Sequence, residues 1–274
     1  MLKNKICLIT GVSSGIGKAL AQQFINNGHK VFGLDIQENK EIERLNFIKC
    51  DITSQKDLTN IKNRFIDDGI VFDMIINVAG IHKMASLVES NFDDLKKIID
   101  VNLCGTMLVN NTFHSLLARN GKIIIVTSEV AAYDPLPFNG IYNISKNALE
   151  SYAQALRQEL NLLNQKVITF QPGAIETPLS NNSLSDTQLL ASNTKLYKNQ
   201  ANNFMHLVKN FMGKPISTTK LAKFIYKKTI KNKNKYTYKI HRSFGLVLLN
   251  MLSKRLQCFI VKLLLNKKRK ITRK

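Results

Sequence analysis

Six short, nearly continuous apolar runs alternate with longer stretches of helical periodicity: ICLIT (6–10), KVFGLD (30–35), NFIKCD (46–51), DMIINVAG (73–80), KIIIVTS (122–128) and KVITFQPG (166–173). A strand with one wet face alternates apolar and polar residues, so runs that are apolar at successive positions belong to strands buried on both faces. Strands of that kind separated by helices predict an α/β fold built on a doubly wound parallel sheet. With 274 residues, of which 44% are hydrophobic, the chain can fill one such domain over 1–242, followed by an amphipathic basic extension over 243–274. Residues 179–215 break the alternation with polar, weakly periodic sequence, and are read as a mobile segment over a substrate pocket.

The first run ends in Thr10-Gly11-Val12-Ser13-Ser14-Gly15-Ile16-Gly17, and KALAQQFINN continues from it with helical periodicity. Small residues let the backbone turn sharply there, and a helix N-terminus offers free N–H groups to a pyrophosphate. Gly11, Ser13, Ser14, Gly15, Ile16 and Gly17 are therefore candidate nucleotide-binding residues. Asp35 ends the second run, 18 residues past Gly17, where a carboxylate can take the adenosine ribose hydroxyls. No Arg or Lys occupies 36–38 to neutralise a 2′-phosphate, which puts NAD ahead of NADP.

Tyr142 and Lys146 stand four residues apart in a run that reads as helix to about Leu163, so their side chains share a face. A free tyrosine, with a pKa of about 10, keeps its proton at neutral pH, and an ammonium one turn away favours the phenolate. Taken alone, the spacing fits first a helix that packs its tyrosine on the core and solvates its lysine, and second a pair suited to proton transfer.

These features arrive in an order that resembles the short-chain dehydrogenase/reductase family, with its Rossmann-like fold. TGVSSGIG is similar to the TGxxxGIG turn of that family, and Cys50-Asp51-Ile52-Thr53 to its acid after the third strand. Asn77-Val78-Ala79-Gly80 is similar to NNAG, Val101-Asn102 to the active-site asparagine, and Pro172-Gly173-Ala174-Ile175-Glu176-Thr177 to PGxxxT. The resemblance covers roughly residues 4–180 and, weakly, 216–265. It implies that Tyr142 is the general acid/base and that Lys146 lowers its pKa and binds ribose. It further implies that Ser128 holds the substrate oxygen and Asn102 a proton-relaying water. Asp51, Ile52, Asn77, Ala79, Gly80, Pro172, Gly173, Ile175 and Thr177 join the cofactor-binding set on the same grounds, and a homo-oligomer is a family expectation.

Two departures stand out. The position thirteen residues before the tyrosine, the usual place of the serine, holds Glu129, with Thr127 and Ser128 as the nearby hydroxyls; Ser128 is preferred, with a loop one residue longer. Val78 replaces an asparagine, at the loss of a hydrogen bond rather than the fold.

Charge divides the chain unevenly. Residues 1–186 hold 18 Lys+Arg and all 19 Asp+Glu, whereas residues 187–274 hold 22 Lys+Arg and no acid. The formal net charge of +21 therefore lives in the last third, which prefers an anionic neighbour. From Ser243 the chain reads SFGLVLLNMLSKRLQCFIVKLLLNKKRKITRK, with Asn250, Ser253, Lys254, Gln257 and Lys262 leaning to one side of a helix. Lys254, Arg255 and Lys262 interrupt it too often for a spanning helix, leaving a domain-packing helix or one lying in an anionic membrane interface. The basic runs 231–235 and 267–270 lack stacking aromatics, so no nucleic-acid partner is expected.

Four scattered cysteines (Cys7, Cys50, Cys104, Cys258) and five scattered histidines give neither a disulfide framework nor a metal site. His82, like the others, reads as a surface or satisfied-core residue. The short apolar run at the N-terminus is no signal-peptide core, so the chain is expected in the cytoplasm, with room for peripheral attachment to the inner face of a membrane. Phe204, Met205, Phe211 and Met212 are candidates to line a greasy pocket.

The expectation is an NAD(H)-dependent oxidoreductase acting on a secondary alcohol or ketone of a hydrophobic, lipid- or steroid-like substrate. The competing reading is a non-catalytic, NAD(H)-sensing protein of the membrane surface. A nucleotide-sugar epimerase is disfavoured by the glycine spacing and the want of a large C-terminal domain.

Overall fold

The computed structural model describes residues 4–38, 41–211 and 214–267. The six apolar runs form β1 (Ile6–Thr10), β2 (Lys30–Asp35), β3 (Asn46–Lys49), β4 (Phe72–Asn77), β5 (Leu117–Val126) and β6 (Lys166–Pro172). A seventh strand, β9 (Thr237–Ile240), completes a wholly parallel sheet of order β3-β2-β1-β4-β5-β6-β9. Two two-residue strands, β7 (Ile175–Glu176) and β8 (Ile216–Ser217), pair separately beside it.

Helices cover both faces, as doubly buried strands require. On one side α2 (Gln55–Asp67), α4 (Thr106–Phe113) and α5 (Gly140–Asn161) bring Leu58, Phe65, Phe113, Leu149 and Leu160 against Leu8, Ile123 and Ile125. On the other, α1 (Gly15–Asn26) and α8 (Thr218–Thr229) bring Leu20, Phe24, Leu221 and Ile225 against Cys7, Ile9, Ile124 and Phe170. Successive residues of β1 and β5 thus enter opposite cores. A short α3 (Phe92–Ile99) runs into a π-helical turn over Asp100–Gly105 before α4. Buried Lys122 on β5 donates to the carbonyls of Thr229 and Lys231, both at 2.6 Å, closing the end of α8, and burial pulls its pKa down to about 8.

The irregular 179–215 segment is largely helical: α6 (Pro178–Asn193) and α7 (Lys198–Phe211). With α10 (Lys254–Asn266) these helices make a third apolar cluster, in which Ala191, Ala201, Phe204 and Leu265 meet Met84 and Phe138 of the body. α7 also grips the end of α10, where the Asn203 amide donates to the Leu265 carbonyl at 2.7 Å and the Lys267 carbonyl at 3.0 Å.

The C-terminal pair, α9 (Phe244–Asn250) and α10, docks through its polar side. Asn250 accepts from the Asp134 backbone amide at 2.7 Å, while Lys254 Nζ and Gln257 Nε2 reach the Asp134 carboxylate at 3.0 and 3.1 Å. Of the side that the sequence marks as polar, Gln257 is buried and Asn250 half-buried by these contacts, whereas Ser253, Lys254 and Lys262 stay exposed. Among the described residues no helix is long and apolar enough to cross a membrane.

Candidate active site

Strand ends and helix starts along the C-terminal edge of the sheet carry the site. β1 turns at Gly11, whose φ of +74° favours glycine; a Cβ there would lie 2.8 Å from Ala79 Cα. A Cβ on Gly17 would lie 1.9 Å from the Gly11 carbonyl oxygen, so the loop and the first turn of α1 touch backbone to backbone. Ser14 begins α1 without a side-chain cap. The turn is therefore a backbone cradle with helix N–H groups at its floor, which fits a dinucleotide pyrophosphate.

Asp35, at the end of β2, accepts from the Ser13 amide at 2.9 Å and the Gln37 amide at 3.0 Å, fixing its carboxylate beside that cradle. Asp51 takes the amide and hydroxyl of Thr53 at 2.9 and 2.7 Å, and buried Ile52 packs against the bare Gly105 backbone. Thr10 Oγ1 accepts from the Val78 and Ala79 amides, both at 3.1 Å, tying β1 to the end of β4. Asn77 is buried and donates to Asn110 Oδ1 at 2.8 Å, so it braces β4 from within.

The next group converges on the start of α5. Gly80 leaves room for two side chains: a Cβ there would stand 3.0 Å from Asn102 Oδ1 and 3.4 Å from Lys146 Nζ. Asn102, fully buried in the π-helical turn, accepts from the Ile81 amide at 2.8 Å and donates to the Ile81 carbonyl at 2.9 Å and to Ser145 Oγ at 3.0 Å. Both amide hydrogens are committed, so this side chain can serve a proton path only as an acceptor. Ser128 is extended, and its Oγ accepts from the Val130 amide at 3.4 Å. Thr127 turns instead to Glu150 Oε1 at 2.5 Å, and Glu129 accepts from the Ser243 amide at 2.7 Å. Lys146 Nζ lies 5.8 Å from the Tyr142 ring centroid.

Burial pushes the Tyr142 phenol up to about 12, with Ser128 acting in the opposite direction. Burial likewise pulls Lys146 down to about 8, against the nearby Glu150 carboxylate. Desolvation disfavours both charged forms, so the protein alone presents a neutral phenol that is ready to donate.

Two residues escaped the sequence reading. His82 packs edge-on to Tyr142, ring centroids 4.6 Å apart, with Nε2 3.0 Å from Asn139 Oδ1, and burial lowers its pKa. Its sequence signal was only its place two residues after Gly80. Glu150 follows Lys146 at the same four-residue spacing that joins Lys146 to Tyr142, a cue available in the sequence.

On the far side of the site, β6 ends at Pro172 and Gly173 donates to the Ile240 carbonyl at 2.8 Å. A Cβ on Gly173 would lie 1.9 Å from the His241 carbonyl oxygen. Ile175 and Thr177 are buried beyond that turn, the former in β7. Phe204 is buried in the α6–α7–α10 cluster and Met205 is half-buried, whereas the Phe211 side chain, Met212 and the basic run after Lys267 lie outside the described residues. No group of three metal-ligating side chains occurs among the described residues.

Residues 5–188 match the family described as short chain dehydrogenase. The chain is similar to the NADPH-dependent 1-acyldihydroxyacetone phosphate reductase of Schizosaccharomyces pombe, with 32% identity over 67% of this chain and 64% of that one. It is 29% identical to the 3-ketodihydrosphingosine reductase of Bacteroides thetaiotaomicron over 66% of this chain and 68% of the relative. Among solved structures, a short chain dehydrogenase family protein from Francisella tularensis superposes with a TM-score of 0.71 at 26% identity, covering 86% of this chain and 96% of that one.

Proposed function

Because the chain belongs to the short-chain dehydrogenase family, we propose that it is an NAD(H)-dependent oxidoreductase interconverting a secondary alcohol and a ketone of a hydrophobic, lipid-like compound. The observation that carries this reading is the meeting of Tyr142 and buried Lys146 on one face of α5, the Lys146 Nζ 5.8 Å from the tyrosine ring centroid, with Ser128 acting on the same phenol. A bound nicotinamide would supply or accept the hydride. The chain's own residues handle the proton. In reduction Ser128 donates a hydrogen bond to the carbonyl oxygen, and Tyr142 gives that oxygen its phenolic proton; in oxidation Tyr142 takes it back. Lys146, one turn along α5, binds ribose hydroxyls and stabilises the phenolate left behind.

NAD rather than NADP follows from Asp35, whose carboxylate is held at the rim of the glycine cradle where a 2′-phosphate would meet like charge. The Schizosaccharomyces relative is named as NADPH-dependent, so the preference turns on this end of β2. The substrate class draws support from the apolar cluster of Met84, Phe138 and Phe204, whose Met84 and Phe138 lie two and one residues along the chain from the paired His82 and Asn139, and from the two relatives whose names specify lipid ketones.

The test is a panel of long-chain ketones and secondary alcohols, with NAD and NADP, followed by nicotinamide absorbance. Tyr142→Phe should lower turnover by at least ~10²-fold with NADH binding retained, the size of a general acid/base contribution. Ser128→Ala should harm turnover more than Thr127→Ala. Asp35→Ala should narrow the gap between cofactors; equal or better turnover with NADP in the unsubstituted protein overturns the cofactor assignment. Full turnover by Tyr142→Phe overturns the mechanism.

A further inference from the structure

An amphipathic helix packed on a domain normally turns its apolar side inward. α9 and α10 do so only in part. Asn250 and Gln257 engage Asp134 beneath them and exposed Lys254 reaches it from the rim, while Phe244, Leu248 and Met251 of the α9 region and Leu256, Phe259 and Leu263 of α10 are exposed. The spacings are i, i+4, i+7 and i, i+3, i+7, so each set forms one stripe. Leu246, Val247, Leu249, Leu252 and Ile260 are half-buried, and Val261 and Leu265 join the cluster with α6 and α7. Phe244 and Met251 are 73% and 77% exposed, unusual for large apolar side chains lying in one stripe.

The surroundings say what covers this face. Arg255 and Lys262, seven residues apart, flank Phe259 on the exposed side of α10, and Lys267 follows at its end. Residues 187–274 contain no acid that could repel an anionic partner. An apolar stripe bordered by long basic side chains matches a bilayer interface, where the stripe enters the acyl boundary and the cations reach lipid phosphates.

We propose that the outer face of α9–α10 is a docking surface for an anionic lipid bilayer. Docking there sets α7, which grips the end of α10 through Asn203, next to the membrane, and with it the apolar cluster that α7 shares with Met84 and Phe138. The proposal stands on the helices' geometry and charge and does not depend on the reaction assigned above.

Full-length protein is mixed at low salt with vesicles of about three parts phosphatidylcholine to one part phosphatidylglycerol, or of phosphatidylcholine alone, and pelleted. Binding is expected to the anionic vesicles, to be far weaker to the neutral ones, and to be released by high salt. Arg255→Gln and Lys262→Gln should each weaken partition roughly fivefold, the fold-change of one basic residue at such a surface. Met251→Ser with Phe259→Ser should weaken it more, the fold being checked by circular dichroism. Lys233→Gln with Lys235→Gln removes two charges from the loop before β9, at the end of that strand opposite to the one from which α9 continues, and should change partition less than about twofold. Failure to bind anionic vesicles overturns the proposal. So does equal loss from the Lys233/Lys235 pair, which would mean diffuse charge. If Met251→Ser with Phe259→Ser lowers the sedimentation mass of free protein while leaving vesicle binding intact, the face joins two copies of the chain and the proposal likewise falls.

Discussion

The sheet with its site, and the helices that close over it, are held in place by different means. Across the sheet, glycines bring backbone against backbone, and inside the protein buried Asn77 joins β4 to α4 and buried Asn102 joins the π-helical turn to α5. Of the acid-free part, α8 and β9 belong to the core and the sheet, while α7, α9 and α10 are joined to the body by one apolar cluster and by three carboxylates. Glu89 accepts from the Thr194 hydroxyl and the Lys195 and Leu196 amides, Glu129 from the Ser243 amide, and Asp134 from Lys254 and Gln257. Close packing admits no partial release, whereas a carboxylate at the surface can let go without unfolding what lies beneath it. The scaffold is thus built to be rigid, and its cover to be separable.

The largest expected effect strikes the rigid part. Gly17→Ala places a methyl where the Gly11 carbonyl already stands, and overpacking of about 1–3 kcal/mol or more falls on the nucleotide cradle. NADH affinity, followed by fluorescence titration, should fall at least ~10-fold while far-UV circular dichroism stays unchanged. Unaltered NADH binding would show that the cradle is looser than its backbone contacts imply.

Asp134→Ala should act on the cover alone. Losing the Lys254 and Gln257 contacts, a local effect of about 1–2 kcal/mol, should speed protease cleavage between α9 and α10 by roughly tenfold and leave the thermal midpoint within about 2 °C. A larger drop in midpoint would make the two helices part of the core and erase the contrast.

Acid should separate the two regions more gently. Hydrogen bonds from Thr194 to Glu89 and from Lys254 to Asp134 hold both carboxyls below their ordinary range. Their contribution is complete above the ordinary pKa of about 4 and is lost as pH falls through the lower folded values. Hydrogen exchange followed downward from neutral pH should therefore show α9–α10 amides losing protection before those of β1, β4 and β5.

The smallest effect concerns the alkaline side. Lys122 and Lys146 both have folded pKa values of about 8, below the ordinary 10.5, so above pH 8 the unfolded chain binds more protons. Stability should rise with pH from about 8, until the buried thiols of Cys7 and Cys50, pushed above their ordinary 9.0, begin to oppose it. Lys122→Met should flatten that rise in a thermal-melt series and lower the midpoint at neutral pH, because the ends of α8 lose their donor.

How much was legible in the sequence follows the same division. β1 to β6 announce themselves because strands covered on both faces need apolar residues at every position, and the glycine turn because only glycine tolerates contacts as close as that of Gly17. Tyr142, Lys146 and Ser128 could be picked out, and the structure brings their side chains together. β9 was hidden: TYKI is four residues long, follows a lysine-rich segment and is only half-buried at the sheet edge. His82 was missed because a contact between two rings on different elements leaves no periodic trace. The C-terminal helices show where pattern reading stops, since amphipathicity tells that a helix has two faces and not which of them the body takes.

The position of β9 bears on how the chain is made. A ribosome delivers β1 to β6 and every side chain of the Ser128–Tyr142–Lys146 group before it reaches Thr237, and until then the outer edge of β6 has no partner. An unpaired, apolar strand edge is a template for pairing with another chain. A product stopped short of β9 would carry the whole reactive group and still expose that edge, so its expected fate is capture by chaperones or aggregation. Synthesis through Ile240 marks the point at which the growing polypeptide can leave the care of other proteins.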